Sequence, residues 1–211
     1  MKFPAKKTTD FTIVPAGNYV GICNAVVDLG MQKGSGMYPA PKRQVYIRFE
    51  LPSERVKYMK DDKEIEGPMS IGATMTASMS EKANLRKFIE SWFGKKFPND
   101  TAAADFDLKV LLTRRCLLNI THTDKGDKTY ANIANATPLP KGMVSNEPQH
   151  NPTIYFSLDD TDQTAMDKAY DLLPEWLRKK IDERLPEEEP ERNKEEALQG
   201  ATEDFNDDIP F

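Results

Sequence analysis

Gln44-Val45-Tyr46-Ile47-Arg48-Phe49-Glu50-Leu51 alternates strictly between polar and apolar side chains. A period of two puts Val45, Ile47, Phe49 and Leu51 on one face of a β-strand and Tyr46, Arg48 and Glu50 on the other, the pattern of a strand with one buried and one usable face. Upstream, residues 18–29 are rich in β-branched side chains and are bounded by Pro15-Ala16-Gly17 and Gly30, which predicts an earlier strand. The connection between the two, residues 30–42, holds three Gly and two Pro together with Lys33, Met37, Tyr38 and Lys42, too long for a tight hairpin. Downstream, Arg55, Lys57, Tyr58, Lys60 and Lys63 flank a polar turn at Asp61-Asp62, and a third strand is expected over residues 70–77, so that a basic hairpin is predicted here.

Ser80-Glu81 is expected to open a helix in which Leu85, Phe88, Ile89 and Trp92 recur at helical spacing, with Gly94 at the C-terminal cap and Trp92 in the core. Residues 115–121 and 128–137 read as two further strands joined by Asp124-Lys125-Gly126-Asp127, and Pro138-Leu139-Pro140-Lys141-Gly142 closes this part. Five strands with one helix between the third and fourth follow the order of an OB-fold, a small barrel that binds single strands or oligosaccharides across one face. The expected class is therefore mainly β with added helices. Residues 1–143 are expected to form the OB-fold nucleic-acid-binding domain. Residues 144–185 form a linker and helical appendage marked by Met166, Ala169, Tyr170 and Leu173, then by Trp176, Leu177, Ile181 and Leu185. Residues 186–211 are too acidic and too poor in apolar side chains to offset ordering entropy, and read as a disordered tail with a docking tip.

The formal net charge of −5 hides an asymmetry. Residues 1–150 hold 22 Lys and Arg against 16 Asp and Glu, a net of +6, whereas residues 151–211 hold 7 against 18, a net of −11. A basic body with an acidic tail suits a body that meets a polyanion and a tail that screens it or recruits basic partners. Tyr46 and Arg48 on the second strand, and Lys128, Tyr130 and Asn132 on the last, set an aromatic ring beside a cation, the pairing that single-strand binding needs: the base stacks and the cation neutralises the phosphate. Lys33, Lys42 and Arg43, then Arg55, Lys57 and Lys60, and finally Lys125 in the last turn are candidate phosphate contacts. Arg114-Arg115 could serve the groove or a partner.

No apolar run approaches the roughly 20 residues of a membrane span, and the start lacks the apolar core of a signal peptide, so a cytoplasmic protein without membrane partners is expected. Cys23 and Cys116 sit in apolar, strand-like runs and are expected to be buried free thiols. No enzyme is expected: His122 and His150 are the two histidines, without a nucleophile and base in reach by spacing, and Gly34-Ser35-Gly36 lacks the Lys-Ser/Thr ending of a phosphate loop. Cys23, Cys116, His122 and His150 lack zinc-ligand spacing, so neither a metal nor another cofactor is expected.

Asp207-Asp208-Ile209-Pro210-Phe211 resembles the tip of bacterial single-stranded DNA-binding proteins, by which replication, recombination and repair enzymes are recruited. Ser91-Trp92-Phe93-Gly94-Lys95, residues 106–109, Cys116-Leu117-Leu118-Asn119-Ile120, Thr129-Tyr130-Ala131-Asn132-Ile133, residues 138–142 and the later 172–177 segment are similar to a family of phage replication OB-fold proteins. The resemblance implies a phage single-stranded DNA-binding protein acting in the bacterial cytoplasm. Its partners would be single-stranded DNA, DNA-processing enzymes at residues Asp207, Asp208, Ile209, Pro210 and Phe211 and, as an open alternative, further copies of the chain in a homo-oligomer. An adaptor or inhibitor that displays the same tip without binding DNA is the rival expectation.

Overall fold

The computed structural model describes residues 12–34, 36, 39–60, 63–143 and 145–186. The disordered tail and docking tip expected over residues 186–211 lie, apart from Pro186, outside the described residues. The first strand β1 spans Gly17–Gln32, β2 Lys42–Lys60 and β3 Lys63–Thr76, followed by helices α1 (Asn84–Phe93) and α2 (Asp100–Ala104) and a 3-10 turn at Leu108–Leu111. Strands β4 (Arg115–Lys125) and β5 (Lys128–Thr137) come next, then a short β6 (Ile154–Phe156) and helices α3 (Gln163–Asp171) and α4 (Glu175–Asp182). Five antiparallel strands curl into a half-barrel in the order β3-β2-β1-β4-β5, with α1 between the third and fourth strands in sequence. This is an OB-like arrangement, as the order of elements predicted.

The alternation of residues 44–51 sends Val45, Ile47, Phe49 and Leu51 into the barrel core. There Phe49 meets Trp92 of α1 with ring centroids 5.2 Å apart, and Trp92 is 3 % exposed, as its helical spacing predicted. The Trp92 indole N–H donates to the Arg115 carbonyl at 3.2 Å, which ties α1 to the start of β4. Helix α1 begins at Asn84, later than Ser80-Glu81: Ser80 lies in a preceding turn, where its carbonyl accepts the Ala83 N–H at 2.9 Å, and the N-cap Ala83 adds no side-chain acceptor. It ends at Gly94, whose φ of 63° is the left-handed cap conformation expected there.

A register shift between Cys23 and Ala25 divides β1. Before it, Gly17–Ile22 pairs with β4; after it, Ala25, Val26 and Val27 pair in parallel with Ile154, Tyr155 and Phe156 of β6. Cys23 and Val26 face the barrel core, while Ala25, Val27 and Leu29 face outward into a second core built with Ile154, Phe156, Ala169, Leu173, Leu177 and Ile181. The second core is the docked helical appendage read from residues 160–185. Its return strand β6 escaped the sequence reading because three residues are too few for a period-two signal. The appendage is further tied down where the Leu185 N–H donates to the Met31 carbonyl at 2.8 Å.

Glu50, wholly buried, fastens the segment leading into β6. Its carboxylate accepts the backbone N–H groups of His150 and Asn151, each at 2.7 Å, and the Asn151 side-chain amide at 2.6 Å. Three donors on one carboxylate offset its desolvation, and removing it leaves all three without this partner in a partly buried site. Glu50→Ala is expected to lower the unfolding free energy by about 3 kcal/mol in equilibrium urea titration; a loss below about 1 kcal/mol would mean that the segment does not depend on this carboxylate.

Candidate nucleic-acid interface

The outer face of β2 is not open. Tyr46 is 8 % exposed and sits in the second core, its ring across Gly72 of β3 and edge-on to Trp176 of α4 at 5.2 Å and 88°. Burial pushes the Tyr46 phenol above its ordinary range, an effect that Arg48 opposes. Tyr46, expected as a stacking platform, is therefore a packing residue beneath the appendage. Arg48 is half-buried and donates its Nε–H to the Asn24 side-chain oxygen at 3.1 Å, while burial draws its guanidinium below the ordinary arginine value against the pull of Tyr46 and Glu50. Alternation alone does not distinguish a strand face that meets water from one that meets a second, partly polar layer.

Three of the cations expected to touch phosphate, Arg43, Arg55 and Lys57, have carboxylate partners. Arg43 is held by Asp28, and its Nη2 also reaches Asp159 at 2.7 Å. The hydrogen bond to Asp28 is the main cause that lifts its guanidinium above the ordinary arginine value. In the predicted hairpin, β2 and β3 pair out to Lys60 and Lys63, but Arg55 meets Glu66 at 3.2 Å and Lys57 meets Glu64 at 2.9 Å. Two of the arm's cations are thus matched by acids on the facing strand. Lys33 and Lys42 are exposed, and the Lys60 side chain lies outside what the structure describes. Arg114 lies over the Phe93 ring at 5.3 Å, and Arg115 donates to the Glu147 carbonyl at 2.8 Å. Both are engaged within the fold.

The β4–β5 hairpin is different. Ala131 and Ile133 pack against the barrel core, so the residues out of phase with them, Lys128, Tyr130 and Asn132, face outward and are exposed, as the sequence predicted. Tyr130 is 46 % exposed. Across the ladder Lys125 stands opposite Lys128, Thr123 opposite Tyr130 and Thr121 opposite Asn132. The Asn132 amide donates to the Thr123 hydroxyl at 3.2 Å, and further along the face the Asn119 amide donates to the Asn18 side-chain oxygen at 2.9 Å. The strip thus carries one aromatic face, two ammonium groups without ion pairs among the described residues, and a row of uncharged hydrogen-bonding groups. Asn18, Asn119, Thr121 and Thr123 were missed by the sequence reading, although the period-two pattern of residues 115–121, with Leu118 and Ile120 inward, already places Asn119 and Thr121 outward.

Cys23 and Cys116 are buried free thiols, and burial pushes the Cys23 thiol up to about 12 and the Cys116 thiol above its ordinary range. No group of three or more His, Cys, Asp or Glu among the described residues is placed to hold a metal ion. Among these residues no helix is long and apolar enough to cross a membrane.

Arg43 is expected to act on stability, because its loss leaves the largely buried Asp28 carboxylate without its charged partner. Arg43→Ala should lower the urea unfolding free energy by about 1 to 3 kcal/mol; unchanged stability would return this arginine to the list of candidate phosphate contacts. Comparison with protein-family models and with curated proteins finds no match for this chain.

Proposed function

We propose that this protein binds single-stranded DNA without strong sequence preference, coats exposed strands during replication or recombination, and recruits DNA-processing enzymes through its acidic Asp207–Phe211 segment. The observation that carries the reading is the outward strip on β4–β5, where Tyr130 stands between Lys128 and Asn132 and opposite Thr123, with Lys125 at the turn. A base stacked on a tyrosine ring is worth about 1 to 3 kcal/mol and is sequence-tolerant because every base has a π-face. Lysine ammonium groups beside the ring neutralise backbone phosphates. The OB-like half-barrel and the net +6 of residues 1–150 support the same reading. No nucleotide cofactor or metal is needed for such binding, and the setting would be the bacterial cytoplasm, as the resemblance to phage replication proteins implies.

A second reading has its own support. The appendage covers Tyr46, and Arg43, Arg55 and Lys57 are matched by carboxylates. Those features suit an adaptor or inhibitor in which the barrel has no nucleic-acid face and the acidic segment engages host enzymes.

Titration of a fluorescent oligo-dT and a matched duplex at two salt concentrations separates the two. The proposal expects preference for the single strand, with log affinity falling by about 0.7 per phosphate neutralised for each unit of log salt. Tyr130→Ala should weaken oligo-dT binding roughly 5- to 150-fold, the stacking increment of one base. Deleting residues 187–211, which carry 10 Asp and Glu against 2 Lys and Arg, should tighten binding at low salt if the segment competes with DNA for the basic body. Absence of oligo-dT binding at low salt would leave the adaptor reading in place.

A further inference from the structure

Beyond the cap Gly94, the last turns of α1, residues 95–98 and Phe106 enclose a depression of about 190 Å³ at the edge of the barrel core. Its floor is Ile89, Phe93, Phe97 and Phe106, and Lys95 and Lys96 stand on its rim. The floor is fixed by edge contacts, with Phe93 and Phe106 centroids 5.9 Å apart and Phe97 and Phe106 5.4 Å apart. The Phe97 N–H donates to Glu90 at 3.1 Å, and Arg86 joins Glu90 to Asp100. Glu90, the acid shared with the neighbouring turn, is thus committed, and chiefly the Phe97 N–H holds it below the usual carboxylate range. Lys95 and Lys96 have no ion pair among the described residues, and Arg114 over Phe93 adds a third cation at this edge. Phe93 nevertheless remains 37 % exposed.

Aromatic walls with a cationic rim fit a ligand that carries an apolar ring next to negative charge. A nucleotide has both, but the floor presents no side-chain group for a base edge. A peptide with acidic residues beside apolar ones matches rim and floor together. The chain contains such a peptide: Asp207-Asp208-Ile209-Pro210-Phe211. We propose that this segment docks into the depression of its own chain, with Phe211 and Ile209 on the aromatic floor and Asp207 and Asp208 against Lys95 and Lys96. The 25 residues from Pro186 can span at most roughly 80 to 90 Å, against a radius of gyration of about 16 Å for a body of this size, so reach is not limiting. Tethering gives an effective concentration on the order of millimolar, which lets a weak contact persist. The docked state would hide the segment from other proteins, and it stands whether or not the body binds DNA.

The test uses the full-length protein with Thr202→Cys carrying a nitroxide. Cys23 and Cys116 are each 0 % exposed, which directs the label to the new thiol. The expected result is loss of at least half the amide signal intensity across residues 93–97 and at Phe106. Recovery is expected in Phe211→Ala and in the Lys95→Glu, Lys96→Glu double variant, whose two lysines are exposed. Broadening centred on residues 125–132, or no broadening, would overturn the proposal. So would broadening seen only when spin-labelled and isotope-labelled molecules are mixed, because that would place the segment of a second copy in the depression.

Discussion

The centre of this fold is the double burial of β1 between Cys23 and Leu29. A strand that packs on both faces cannot be satisfied by a barrel alone, and here the barrel core takes Cys23 and Val26 while the appendage takes Ala25, Val27 and Leu29. Burying apolar surface on each side is favourable by about 25 cal/mol per Å² removed from water, which makes the helices of residues 163–182 part of the sheet's stability. The register shift against β2 at Cys23/Ala25 falls where β1 changes its other partner from β4 to β6. Glu50 then secures the crossing segment with hydrogen bonds in place of apolar contact.

That constraint moves the candidate interface. With Tyr46 packed under Trp176 of α4, that ring serves the second core, Arg48 is held by Asn24, and Arg55 and Lys57 of the β2–β3 arm are matched by acids on the facing strand. The β4–β5 strip, in contrast, keeps an exposed tyrosine beside two lysines that have no ion pair among the described residues. A face of one tyrosine, two lysines and several amides and hydroxyls favours contacts that do not discriminate among bases. Specific recognition needs side chains fixed toward base edges.

Much of this was legible in the sequence. The alternation of residues 44–51 located the inward face of β2, the spacing of Leu85, Ile89 and Trp92 located α1, and Gly94 marked its end. The outward phase of Lys128, Tyr130 and Asn132 followed from Ile133 facing inward. The reading failed where a polar face met a second layer. Tyr46, Arg48 and Glu50 look solvent-facing by period, yet Tyr46 packs under Trp176 and Glu50 is satisfied by backbone donors about a hundred residues away in sequence. The warning was in β1, whose nearly continuous apolar run through residues 25–29 signals burial on both faces. The ion pairs of Arg43 with Asp28 and Asp159 depend on a fold that brings residue 159 beside residue 43, and no local pattern announces that.

Photocrosslinking of 4-thiothymidine oligonucleotides to the full-length protein, followed by peptide mapping, tests most directly where a single strand lies. Adducts concentrated between residues 119 and 132, with Tyr130 among them, are the result this account predicts. Adducts on residues 44–50 or on the 172–177 segment would contradict it, because they would require the appendage to leave the sheet or to form the binding face itself.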